Sequence, residues 1–324
     1  MILAAPEFGA TIPAGSFSSI VDMVISRSSF QKKKILHDLA NRDTAFFTDA
    51  NTFATSYSEY LDSQDIPIEY AVEAYLEMCR NMMKCQIAFM KTGRYTVSDH
   101  GKAFDEVYSN PNRMTSYMIG LAISQFLWRT HYEMYCCLRA AIKRYCPTAG
   151  SYLEVGPGHG LFMKEAVSSL PSYADIVAVD ISPVSMSITK SIMEYFLPKS
   201  ERICYQTSDM LLMDSVYLYD FITMGEVLEH VDFPDKLLQK LNTLLSANGR
   251  AFVSTCVNAP AIDHVYHFKY VHEIRSLISD CGFLIEEERV LPVENLPMDK
   301  VVRDKIAINY CAILKKKTRH DQIR

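Results

Sequence analysis

The sequence predicts an α/β protein: a mostly parallel, helix-covered sheet with an antiparallel pair at its C-terminal edge, preceded by an all-helical half. Three observations carry this. Residues 16 to 146 repeat apolar positions at helical spacing with few β-rich runs, and from residue 150 short β-rich runs alternate with helical segments. A turn with glycine at alternate positions, "GPGHG" (156 to 160), follows the first of those runs.

In the first half, "YAVEAYLEMCRNMMKCQIAFM" (70 to 90) and "MTSYMIGLAISQFLWRTHYEMYCCLRAAIKRY" (114 to 145) each read as one helix. Between them, Gly93 closes the first helix, a few extended residues follow, and Ser98 is the expected N-cap of the next. The β-rich runs of the second half are 151–155, 175–181, 202–207, 220–224, 250–257, 283–293 and 305–316. The boundary is placed at Pro147 to Gly150, which gives a helical domain (1–147), a sheet domain (148–316) and a frayed tail (317–324).

Composition bounds the function. The chain has 324 residues, 49 % of them hydrophobic, and a formal net charge of -5, so no global field draws it to phosphate backbones or anionic lipid. Nucleic acid and membranes are not expected partners. Nine cysteines without a C-x-x-C pair read as reduced thiols, Cys204, Cys256 and Cys311 acting as small hydrophobes in strands. "MILAAPEFGATIPAGSF" has neither a basic start nor a long apolar run, and no stretch reaches the ~18 apolar residues of a membrane span, so a cytoplasmic protein is expected.

Glycine loses the most backbone freedom on folding, so three at a strand end need a local cause. A turn bringing backbone N–H groups and a helix N-terminus up to a ligand is one. Asp180, closing "VAVD", adds a carboxylate at the sheet edge where α/β proteins bind ligands and can hold the two hydroxyls of a ribose. His159 is read as shaping the loop.

These residues resemble the class I S-adenosylmethionine-dependent methyltransferases over about residues 148 to 316. The likeness rests on acidic-x-Gly-x-Gly-x-Gly (Glu154 to Gly160), an acid after strand two (Asp180), an acidic-apolar pair after strand three (Asp209, Met210) and "GEVLEH" (Gly225 to His230). A nicotinamide enzyme would show G-x-G-x-x-G instead. The resemblance implies a Rossmann-like sheet and S-adenosyl-L-methionine as cofactor. It places Glu154 and the Gly156, Gly158 and Gly160 backbone by the methionine portion, Asp180 on the ribose, and Ile181, Asp209 and Met210 around the adenine. Gly225 and Glu226 would lie near the sulfonium.

A sulfonium methyl is already electrophilic, so transfer needs alignment and a dry site, with a general base only for acceptors such as a hydroxyl. Glu226, Glu229 and His230, spaced i, i+3, i+4, are expected on one helical face, with His230 or Glu229 as the base. The same groups fit a Mg²⁺ or Zn²⁺ site completed by His264 or His267, or simply a charged helix start; the set is read here without a metal. His264 and His267 are expected to orient substrate, as are Tyr117 and His131 from the aromatic helical half.

"GRYTVSDHGKAF" is similar to the wing in the dimerisation domain of small-molecule O-methyltransferases, which implies a homodimer. The expected activity is methyl transfer to the oxygen or nitrogen of a small molecule. Attack on the aminocarboxypropyl carbon with release of methylthioadenosine is the alternative, and cofactor binding without turnover a third.

Overall fold

The structure, a computed structural model, describes residues 16–97, 99, 101, 110–198, 202–214 and 216–318. Ser98, the N-terminal stretch through residue 15 and the tail from 319 lie outside the described residues.

Helices α1 (Phe17–Arg27), α2 (Ser29–Leu39), α3 (Thr44–Ser63) and α4 (Ile68–Thr92) build the first half. Side chains fix the starts of α1 and α3: Ser16 accepts from the Ser19 amide and Asp43 from the Phe46 amide. Gly93 closes α4 in the left-handed conformation (φ 69°), as its position predicts.

The segment expected as one helix over 114–145 is two: α5 (Pro111–Leu127) and α6 (Arg129–Tyr145), broken at Trp128 (φ -113°, ψ 125°). No glycine or proline marks the break, and its cause is tertiary. The Trp128 indole donates to Tyr75 Oη on α4 at 2.8 Å and its ring packs edge-on against His131, while α6 turns onto the sheet.

Seven strands follow: β1 (Ser151–Val155), β2 (Asp175–Asp180), β3 (Ile203–Thr207), β4 (Tyr219–Gly225), β5 (Leu245–Val257), β6 (Phe283–Pro292) and β7 (Ile308–Lys316). They form one sheet in the order β3-β2-β1-β4-β5-β7-β6. Every pairing is parallel except those of β7, which runs antiparallel to β5 and β6, the expected edge arrangement. The connecting helices are α7 (Leu161–Ser169), α8 (Pro183–Phe196), α9 (Pro234–Leu244), α10 (Val271–Asp280) and α11 (Met298–Arg303).

The order reverses at β1, so the carboxyl ends of β1, β2 and β4 open a crevice at the switch point. One sheet face packs α9 and α10 (Leu237, Leu241, Ile274, Ile278); the other packs Met134, Leu138 and Ile142 of α6 on Tyr152, Ile176 and Phe221. A third core joins α1 to α5, with Leu161 and Ile192 reaching into it from α7 and α8. All nine cysteines are free, and among the described residues no helix is long and apolar enough to cross a membrane.

Candidate cofactor and acceptor site

The glycine turn is built on positive φ: 64° at Gly156, 55° at Gly158 and 72° at Gly160. The Gly156 amide donates to Val179 O at 2.9 Å, hanging the turn between β1 and β2. A Cβ on Gly156 would stand 2.8 Å from Val227 Cγ2. Gly160 departs from expectation. It does not line the cavity, and a Cβ there would meet the Thr189 Cα at 3.0 Å, so it serves the close approach of α7 to α8 rather than a ligand.

Around the turn, the buried Glu154 accepts from Tyr152 Oη, which also meets Thr223 Oγ1 at 3.1 Å; burial pushes the Glu154 carboxyl well above the usual carboxylate range. Asp180 ends β2 on the cavity wall, its Oδ1 accepting from the Ser182 amide at 2.8 Å. Burial raises its pKa to about 6, against the pull of the neighbouring amides. Ile181, Asp209 and the buried Met210 continue the same wall, with Asp209 Oδ1 capping a single 3₁₀ turn through the Leu211 amide at 2.8 Å.

At the end of β4 the expected helical face of Glu226, Glu229 and His230 does not exist. Glu226 has φ 54°, Leu228–His230 form one 3₁₀ turn, and the helix proper starts at Pro234, in the first turn, where proline costs no intrahelical hydrogen bond. The groups converge nonetheless. The Glu226 amide is pinned by Ser254 O (3.1 Å) and Oγ (3.0 Å), and the Glu229 carbonyl accepts from the Val265 and Tyr266 amides, drawing the loop after β5 over the site. Glu229 Oε2 accepts from Thr255 Oγ1 at 2.7 Å, while Oε1 of each glutamate is buried without a hydrogen-bond partner. Burial pushes both carboxyls up, and Glu226 adds to the rise at Glu229.

That loop supplies what the sequence reading missed. Asp263 is buried, with its carbonyl 3.1 Å and its Oδ2 3.5 Å from His230 Nδ1, and its Oδ1 accepts from Tyr117 Oη at 3.3 Å. His264 packs edge-on against His230 at 4.8 Å and donates from Nδ1 to Ala259 O at 2.6 Å; burial, then the nearby His230, lower its pKa to about 4. His267 is not on the cavity wall. It bonds Asn258 Oδ1 at 2.8 Å and packs on Phe89 and Tyr95, clamping α4 to the loop after β5.

Two groups could hold a cation: Glu229, Cys256 and His264, or His230, Asp263 and His264, the ligand atoms of each lying within 4.8 Å of one another. His264 has only Nε2 to offer, because Nδ1 is committed to Ala259. Asn309, which reaches the cavity wall from β7, was also missed, although a lone amide in an otherwise apolar strand is a readable signal.

Apart from Gly160 and His267, the site residues expected from the sequence line one cavity of about 780 Å³. It runs from the glycine turn and Asp180 to α2, α4 and α5, where Phe30, Met82, Met114, Tyr117 and Met118 form the roof and His131 the wall. The volume lies in the range of small-molecule sites.

Sheet order, glycine turn and strand-end acids together define a Rossmann-like methyltransferase sheet. Residues 128–284 match the model of the methyltransferase domain family, and the chain carries a class I S-adenosylmethionine-dependent methyltransferase domain. It is 28 % identical over 117 residues to the ubiquinone biosynthesis O-methyltransferase of Xanthomonas axonopodis pv. citri (strain 306), covering 36 % of this chain and 46 % of that protein. With the mitochondrial ubiquinone biosynthesis O-methyltransferase of Candida albicans it shares 27 % over 103 residues, 32 % of this chain and 31 % of that one. The matches thus span less than half of these curated relatives. Among solved structures, the mitomycin 7-O-methyltransferase MmcR superposes with a TM-score of 0.53 at 11 % identity, over 78 % of this chain and 72 % of that one, a likeness of fold.

Proposed function

We propose that the chain methylates a hydroxyl of a small acceptor enclosed between the sheet edge and the helical half, using S-adenosylmethionine. The observation that carries this is the single cavity shared by the nucleoside-type wall (Gly156, Asp180, Met210) and the apolar roof (Met82, Met114, Met118). The residues suit the cofactor: a turn whose three glycines hold positive φ, a carboxylate at the end of β2 and buried acids beside β4. When bound, S-adenosylmethionine supplies a methyl group on a positively charged sulfur.

The chain's own groups do the rest. Asp180 takes the ribose hydroxyls, and Ile181 and Met210 flank the base. Glu226 and Glu229 give the sulfonium a region of unpaired carboxyl oxygens. His230 faces Asp263 with Nδ1, which donates to the Asp263 carbonyl, and the imidazole so oriented is the base that takes the acceptor's proton. The ubiquinone relatives, by their names O-methyltransferases, support oxygen as the acceptor atom.

Methyl-labelled cofactor incubated with a panel of small phenols, alcohols and amines tests this. The expected outcome is label in a phenol or alcohol with equimolar adenosylhomocysteine, and a roughly 10²- to 10⁴-fold loss of turnover in His230→Gln with adenosylhomocysteine binding retained. Release of methylthioadenosine, or no binding of adenosylhomocysteine by folded protein, overturns it.

A further inference from the structure

Under the roof, at the α5–α6 break, sits a polar group that the chemistry above does not use. Gln125 is 4 % exposed, lines the cavity, and its Oε1 is buried without a hydrogen-bond partner. A buried amide oxygen left unpaired costs on the order of 1–3 kcal/mol and calls for a partner.

Its neighbours on the wall have fixed proton positions. Ser124 Oγ donates its single proton to Leu121 O at 2.7 Å, so its oxygen accepts from His131 Nδ1 at 2.9 Å, and His131 Nε2 is left as an acceptor. His159 Nδ1 accepts from the Leu161 amide at 3.2 Å, so its proton is on Nε2, a donor. Burial lowers the pKa of His131 to about 3 and of His159 to about 4, leaving both neutral at pH 7. Two cations on the same wall are paired, Lys34 with Glu294 at 3.5 Å and Arg129 with Glu133 at 3.1 Å.

We propose that Gln125, His131 and His159 form an anchoring subsite for a second, neutral hydroxyl on the acceptor, away from the atom that reacts. A hydroxyl gives its proton to Gln125 Oε1 and accepts from His159 Nε2, while His131 Nε2 beside them takes a further donor. An ether cannot satisfy the amide oxygen. The flanking Met118, Leu121 and Trp128 suit an apolar, ring-like body. The inference names the acceptor class for the methyl-transfer reading and rests on it for its biological meaning.

Fluorine NMR titration of para-fluorophenol and para-fluoroanisole, with and without saturating adenosylhomocysteine, tests the subsite. The phenol should bind at least roughly 5-fold tighter than the ether, the equivalent of one satisfied hydrogen bond, and Gln125→Leu should erase that preference without changing adenosylhomocysteine affinity. In wild type the phenol should shift the His131 and His159 ring-nitrogen resonances and the ether should not, a readout that survives if the variant fails to fold. Equal binding of the two probes, or unshifted rings, overturns the subsite. Failure to bind adenosylhomocysteine removes the methyl-transfer reading instead, since the phenol preference is also measured without it.

Discussion

Replacing Asp180 by asparagine should make the ligand-free chain more stable at neutral pH while making it a poorer nucleoside binder. Burial lifts this carboxyl from 3.8 to about 6. Keeping it ionised at pH 7 therefore costs about two pK units relative to the unfolded chain, or up to about 3 kcal/mol. Because the folded-state pKa is the higher one, the stabilising contribution is complete below about pH 4 and is lost as the pH rises through 6. Asparagine is neutral throughout and keeps an oxygen for the Ser182 amide. The gain on substitution should thus be near zero at pH 4 and reach up to about 3 kcal/mol by pH 7, read from urea unfolding across that range. The same change removes a charged acceptor for the ribose hydroxyls, worth about 1.5–3 kcal/mol, so the Kd for adenosylhomocysteine should rise roughly 10- to 100-fold by calorimetry. A variant no more stable than wild type at pH 7 would refute the burial argument, and an unchanged Kd the ribose role.

Two other substitutions separate scaffold from chemistry. Gly160→Ala puts a side chain at φ 72° and 3.0 Å from a backbone carbon of α8, so unfolding free energy should fall by about 1–2 kcal/mol or more, with adenosylhomocysteine affinity of the folded fraction unchanged; an unaltered urea midpoint would contradict this. Glu229→Gln replaces a carboxyl whose pKa burial, then Glu226, push well above the usual carboxylate range, so stability at pH 7 should stay within about 1 kcal/mol of wild type. Wild type should lose ground to this variant as the pH climbs through the raised pKa, whereas a loss above about 3 kcal/mol at pH 7 would mean that a paired carboxylate had been broken.

Much of the sheet could be read in advance because its strands carry β-rich runs of the right length, and because glycine at alternate positions has few other uses. The succession of strands along the chain and the turn at residues 156–160 follow from local chemistry. Trp128 was not legible, since its break is set by Tyr75 on another helix and by the sheet under α6. Glu226 was misjudged for a related reason: i, i+3, i+4 spacing mimics a helical face, but Pro234 delays the helix and the convergence comes from Ser254 on β5. Of two histidines three residues apart, only His264 reaches the cavity, because the other is held by Asn258, itself in a left-handed turn (φ 50°) that no short motif announces. Asp263 was overshadowed by the histidine beside it.

Helix α6 has a practical bearing on how the molecule can be divided. Its Met134, Leu138 and Ile142 form the floor on which one face of the sheet rests, so a fragment trimmed to begin just before β1 would leave Tyr152, Ile176 and Phe221 bare to water. Excising the catalytic half intact means cutting near Trp128, and such a piece would carry part of the acceptor wall away with it.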